Sequence, residues 1–228
     1  MRIIVFDTET TGLPTKRHAP ASDTLSWPHI VQISWIVYDA GTAKIQRAED
    51  HLVKLPEGVV IPEAASKVHG ITASQLARKG VDAQVALEAF IKDLRAAERY
   101  VAHNLGFDQA VIQASCHRLG ISPPFNKDTC RASPYCTAKE GVIETQLWAE
   151  RKSGSRFLRY PKLWELHQTL FQSNAQNLHD ALADVLVCLR CYLQMAHGQD
   201  LMTCSRARQL FDLYGIGSNK RRKLSHAR

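Results

Sequence analysis

MRIIVFDTETTG, residues 1–12, opens the chain with an apolar run that ends in two acids. Residues 2–6 are rich in branched side chains, and the length of the run suits a buried strand rather than a helix. Asp7 and Glu9 follow at its end. Side chains alternate across a strand, so Asp7 and Glu9 share one face and Thr8 takes the other. Two carboxylates side by side at the end of a core strand repel each other. They are costly to bury without a cation or a shared proton. Alone, such a pair fits a capping or turn acid; partners elsewhere in the chain change that reading.

Outward from this strand, residues 13–29 carry three prolines and read as a surface loop. Residues 30–38 (IVQISWIVY) predict a second strand and residues 44–55 a third, the three forming an antiparallel meander. Short helical pieces are expected at 62–68 and 72–77, and an amphipathic helix at 81–97. A fourth strand starts at 100–102 and runs into a helix at about 106–119. A strand followed by a helical crossover lies parallel to and beside the first strand. A fifth strand is expected at 125–130, helices at 137–149, 162–171 and 178–196, and a loop with basic and aromatic residues at 150–160. One more short helix fits 206–214. Antiparallel strands followed by crossovers imply an α/β domain, with helices packed on a mixed sheet.

The chain of 228 residues is long enough for one well-cored domain plus an extension. We expect the domain at 1–197 and a basic, partly disordered extension at 198–228. No apolar run approaches the ~20 residues that span a bilayer, and the first strand leaves no room for a leader peptide, so an intracellular protein, cytoplasmic or nuclear, is expected. The cysteines have no spacing typical of a secreted disulfide framework. Cys188 and Cys191 form a C-x-x-C inside a helical apolar pattern, which fits core packing better than zinc or redox chemistry. The net charge is +7. Between residues 204 and 228 stand seven Lys or Arg against one acid, so the basicity belongs to the tail. Its run Lys220-Arg221-Arg222-Lys223 fits a nuclear-import signal, a nucleic-acid arm or a solubilising end.

Further acids stand at two places along the chain. Asp108 falls in the first turn of the helix after the fourth strand, near the strand ends; alone, it is an acid favourably placed at a helix N-terminus. In His179-Asp180-Ala181-Leu182-Ala183-Asp184, the two aspartates are four apart and share a helix face. Asp184 interrupts an apolar stripe and needs a partner.

FDTETTG, NLGFD and HDALADV together resemble the three motifs of the DEDDh (DnaQ-like) 3′→5′ exonucleases, over about residues 2–197; His69-Gly70-Ile71-Thr72 is similar to another segment of that family. The resemblance implies a ribonuclease H-like fold, α/β with a five-stranded mixed β-sheet flanked by α-helices. It implies that Asp7, Glu9, Asp108 and Asp184 hold two Mg²⁺ or Mn²⁺ ions, and that His179 is the general base. Oxygen-only ligands suit those cations, and an imidazole with an ordinary pKa of about 6.5 suits that base. The expected reaction releases nucleoside 5′-monophosphates from the 3′ end of a nucleic acid, DNA or RNA, single-stranded by preference.

Thr8, Thr10, Asn104 and Phe107 are candidate substrate contacts, Phe107 fitting the core equally. Arg156, Arg159 and Lys162 join Phe157 and Tyr160 as cations and rings of the kind that grip single strands; a solvated loop fits the same residues. Proofreading beside a polymerase or replication partner and free-standing 3′-end trimming both fit. An accessory domain acting through protein contact is the alternative, and no membrane role is expected.

Overall fold

Strand β1 (Arg2–Thr10) lies at the centre of the molecule because its branched residues fill both faces of a sheet: Ile3, Ile4, Val5 and Phe6 are all fully buried. In the computed structural model, residues 1–16, 18–126, 130–175, 178 and 180–216 are described. β2 (Ile30–Asp39) and β3 (Lys44–Leu52) follow, then three helices, α1 (Glu63–His69), α2 (Ala73–Lys79) and α3 (Ala83–Arg95). β4 (Arg99–Ala102), α4 (Leu105–Leu119), β5 (Ser133–Cys136) and α5 (Thr137–Thr145) come next. A small ribbon of β6 (Trp148–Glu150) and β7 (Arg156–Leu158) precedes α6 (Leu163–Phe171), α7 (Ala181–His197) and α8 (Ser205–Tyr214). The main sheet has the order β3-β2-β1-β4-β5, with β1–β2 and β2–β3 antiparallel and β1–β4 and β4–β5 parallel.

The period-2 alternation of β1 sorts the core into two layers. Ile3 and Val5 pack with Ile36 and Val101 under α7, whose Val185, Leu186 and Leu189 are fully buried. Ile4 and Phe6 face α3 and α4 on the other side with Trp35, Phe90 and Ile112. The Phe6 ring meets Phe90 edge-on at 5.1 Å and stacks on Phe125 at 5.8 Å.

Several local expectations shift. The fifth strand is Ser133–Cys136, not 125–130, because Phe125 is drawn into the aromatic cluster around Phe6 and Tyr100. Pro134 is tolerated there because β5 is an edge strand. The helix expected at 137–149 ends at Thr145, and the expected loop at 150–160 contains most of the β6–β7 ribbon. The last long helix begins at Ala181 because the Asp180 side chain accepts from the N–H groups of Leu182 and Ala183 and caps it.

Past residue 198, Leu201, Ala207, Phe211 and Ile216 pack into the same apolar layer as α7, and Arg190 grips both oxygens of Asp200 at 2.7 Å. Cys188 and Cys191 are core residues of α7 with free thiols. The tail expected to be disordered lies, from residue 217, outside the described residues. Among the described residues no helix is long and apolar enough to cross a membrane.

Helix α5 seats flush on α6 at Gly141, where an added Cβ would lie 2.8 Å from Leu166 Cδ1 and 3.3 Å from Pro161 Cγ. Gly141→Ala is expected to overpack this contact and cost about 1–3 kcal/mol, read as a lower midpoint in urea unfolding at unchanged slope.

Candidate active site

The register of β1 decides which groups meet. β4 pairs with β1 only as far as Val5, then turns away through His103 and Asn104 into α4. Beyond that point, among the described residues, one edge of β1 has no strand partner. Asp108, in the first turn of α4, fills the gap: its Oδ1 accepts from the Thr8 N–H at 3.0 Å and the Thr8 hydroxyl at 2.7 Å. Asp7 and Glu9 point to the opposite face, where α7 brings Asp184. Asp7, Glu9 and Asp184 each offer an oxygen within 4.8 Å of the others. The structure therefore brings together three of the four expected acids as a cluster, with Asp108 buried behind Thr8.

The electrostatics follow from this crowding. Burial pushes the Asp7 carboxyl up to about 7, with the charge of Asp180 adding to it. Glu9 rises to about 9, first through burial and then through Asp7, Asp184, Asp108 and Asp180. Asp108 is also raised by burial and Asp7, against which its hydrogen bonds to Thr8 work. A site that resists ionisation this strongly, with only hard oxygen donors, fits divalent cations of the Mg²⁺ or Mn²⁺ type.

Asp180 and Gln32 were not read as site residues from the sequence. Gln32 is buried opposite Glu9 in the β1–β2 ladder; its amide nitrogen donates to Asp50 Oδ1 at 2.7 Å and its oxygen accepts from the Ala181 N–H at 3.3 Å. It ties the second strand to the start of the helix that carries Asp184. The signal for Asp180 was present as an acid just before a long apolar helix, an N-cap pattern. His179, which immediately precedes Asp180, lies outside the described residues.

A cavity of about 880 Å³ opens beside Glu9, lined by Thr8, Thr10, Leu13, Trp27, His69 and Phe107 among others. Phe107 is half-buried against Trp27 at 6.4 Å, so it serves the cleft wall and the core together. Thr10 turns its hydroxyl onto the Gly12 carbonyl at 2.6 Å. Asn104 is exposed, with a left-handed φ of 66°, and makes no side-chain cap to α4. Arg156, Arg159 and Lys162 do not line this cavity; Arg159 forks onto Glu165 at 2.8 and 2.6 Å.

The His69-Gly70-Ile71-Thr72 segment is a helix junction. Gly70 ends α1 at φ 72°, His69 Nδ1 accepts from the Ile71 N–H at 3.0 Å, and Thr72 opens α2 with a capping box. The other cleft wall, residues 24–29, is held by Arg118 of α4. Its guanidinium donates to the carbonyls of Thr24 (2.6 Å), Trp27 (2.5 Å) and Pro28 (3.2 Å). No local pattern marks this arginine, since its targets lie some ninety residues away.

A family profile described as Exonuclease matches residues 4–192. Among curated proteins compared by sequence, none matches the chain. The fold is that of Exonuclease I structures and is ribonuclease H-like. The moderately thermophilic Exonuclease I from Methylocaldum szegediense superposes with a TM-score of 0.64 at 17% identity, covering 89% of this chain and 42% of that one. E. coli Exonuclease I in complex with a dT13 oligonucleotide gives 0.60 at 18%, covering 93% and 43%. A product-bound Exonuclease I gives 0.62 at 17%, covering 93% and 45%. The chain thus spans less than half the length of these structures.

Two outcomes are expected. Asp7 and Glu9 hold protons in the metal-free fold that the unfolded chain releases near pH 4, so stability falls as pH rises from about 4 toward about 7 and about 9. In chelator, melting temperature should drop between pH 6 and 8.5, and Glu9→Gln should melt above the unaltered protein at pH 8.5. Excess Mg²⁺ should reverse that order. Arg118→Ala should cost about 2 kcal/mol through the lost charged hydrogen bonds, and limited trypsin digestion should then cut faster at Lys16.

Proposed function

Because the chain belongs to the exonuclease family, we propose that it is a metal-dependent 3′→5′ exonuclease of the DEDDh type, releasing nucleoside 5′-monophosphates from single-stranded nucleic acid. The observation that carries this is the convergence of Asp7, Glu9 and Asp184 on one side of the β1 end, with Asp108 on the other. All four acids of the set are retained, which favours catalysis over a purely accessory role. Two bound Mg²⁺ or Mn²⁺ ions would stabilise the attacking and leaving oxygens of an in-line displacement. Asp7, Glu9 and Asp184 would hold them, joined by Asp108.

The chain's own residues supply the rest. His179 takes the proton of the attacking water, a role that suits an imidazole near neutral pH. The cavity beside Glu9 receives the terminal nucleotide, its base against the apolar wall of Leu13, Trp27 and Phe107. The Thr8–Thr10 segment lines that cavity; its backbone, with Asn104 from outside the lining, would meet the sugar and its 3′-hydroxyl, and the group presented there would select deoxyribose or ribose.

With a 5′-labelled single strand in Mg²⁺, a ladder shortening from the 3′ end is expected, and a 3′-labelled strand should give labelled mononucleotide at once. A ladder from the 3′ label instead would reverse the direction and sink this reading. Asp7→Ala should abolish release. His179→Ala should slow hydrolysis by about 10²–10⁴-fold while oligonucleotide affinity stays within about twofold; equal loss of both would remove the general-base role.

A further inference from the structure

The β6–β7 ribbon stands apart from the main sheet. Its strands are three residues each and, among the described residues, pair only with one another. An isolated two-stranded ribbon is marginal by itself, and a connection from α5 to α6 needs nothing so long. The ribbon also exposes what folding normally hides: Trp148 and Tyr160 are each 54% exposed, and Trp164 follows, 43% exposed, in the first turn of α6. Each face carries an arginine over a ring. The Arg156 guanidinium lies 5.3 Å from the Trp148 centroid on one face, and that of Arg151 lies 4.5 Å from Phe157 on the other.

Charge points the same way. Residues 150–162 hold Arg151, Lys152, Arg156, Arg159 and Lys162 against the single acid Glu150. Residues 1–203 as a whole are nearly neutral, so without this segment they are net acidic. Arg159 is occupied with Glu165 and closes the stem through its N–H to the Leu147 carbonyl at 2.9 Å. Arg151, Lys152, Arg156 and Lys162 are exposed.

The ribbon is also tied to the edge of the sheet where the acids lie. β1, β4 and β5 run parallel and end at that edge. His103, in the turn after β4, donates from Nε2 to the Pro161 carbonyl at 3.0 Å and accepts the Thr137 hydroxyl at Nδ1, 2.9 Å away. Thr137 touches Cys188 Sγ at 3.5 Å, one helical turn beyond Asp184. Burial holds His103 neutral, its pKa pushed down to about 4, so this joint keeps one protonation state at working pH.

We propose that the ribbon, with Tyr160 and Trp164 at its base, is a second nucleic-acid contact that grips a single strand upstream of its 3′ end, by phosphate pairing with Arg151, Lys152 and Arg156 and base stacking on Trp148 and Tyr160. Paired cations and accessible rings on a flexible strand's scale are the makings of sequence-tolerant single-strand binding. A protein-docking patch is enriched in the same rings and arginines but depleted of lysine; the exposed Lys152 and Lys162 and the net positive charge of residues 150–162 favour phosphate. The proposal rests on the nucleic-acid reading of the neighbouring site but needs no hydrolysis to be tested.

The experiment is fluorescence anisotropy of a labelled 20-nucleotide strand, as DNA and as RNA, with the full chain in chelator. R151A/R156A should weaken binding about tenfold or more. Removing two phosphate contacts should lower the slope of log affinity against log salt by about 1.4. Trp148→Ala should weaken binding several-fold at an unchanged slope, which separates stacking from charge. These positions are exposed, and melting temperatures within about 2 °C of the unaltered protein will confirm the fold. Affinity and slope unchanged in both variants would overturn the proposal and leave the ribbon to a protein partner. A strand bound through the ribbon but never hydrolysed would sink the exonuclease reading and keep this one.

Discussion

Mutual repulsion of carboxylates at the end of β1 is the constraint on which the rest of the structure depends. Asp7, Glu9 and Asp184 stand within ligand distance of one another, Asp108 is buried nearby and Asp180 adds its charge. Burial and mutual charge oppose its ionisation, against which the Thr8 hydrogen bonds to Asp108 work, so the surrounding fold must hold it. It does so by placing the acids on the most deeply packed strand, between two apolar layers. The cost of crowding is carried by the burial of Ile3 to Phe6 on one element and of α7 on another.

The geometry of the sheet turns that constraint into a site. Parallel strands end on one edge, and α-helices leave from it, which is where ligands gather in α/β sheets. The early departure of β4 opens an edge of β1, and Asp108 satisfies the Thr8 N–H that a strand would otherwise have taken. On the far side, Gln32 connects β2 to the start of α7, so Glu9 and Asp184 are held by one buried amide. Arg118 fixes the cleft wall by reaching back from the helix that carries Asp108. Each of these links is a single polar side chain whose groups are matched, which makes the site stiff where charge is concentrated.

The cavity and the ribbon differ in kind. Around Glu9 the wall is apolar and held by the Arg118 clamp on backbone carbonyls. The ribbon, none of whose residues lines that cavity, carries exposed cations and rings. On the proposed reading the first would take the terminal nucleotide and the second the extended strand.

Legibility in the sequence followed the range of the interactions. Alternation along β1 placed Asp7 and Glu9 on one face, and the strand–helix order placed β4 beside β1. Both of these are periodicities of a local backbone, written in consecutive residues. The fifth strand was misplaced because Phe125 answers to an aromatic cluster formed by distant residues, and the ribbon was missed because strands of three residues carry no period. Which way Asp108 turns, what Arg118 grips and why Gln32 is buried were decided only by tertiary structure. Those contacts join residues some ninety to one hundred and fifty positions apart. Their partners are set by strand register and helix packing, and no local run of side chains encodes either.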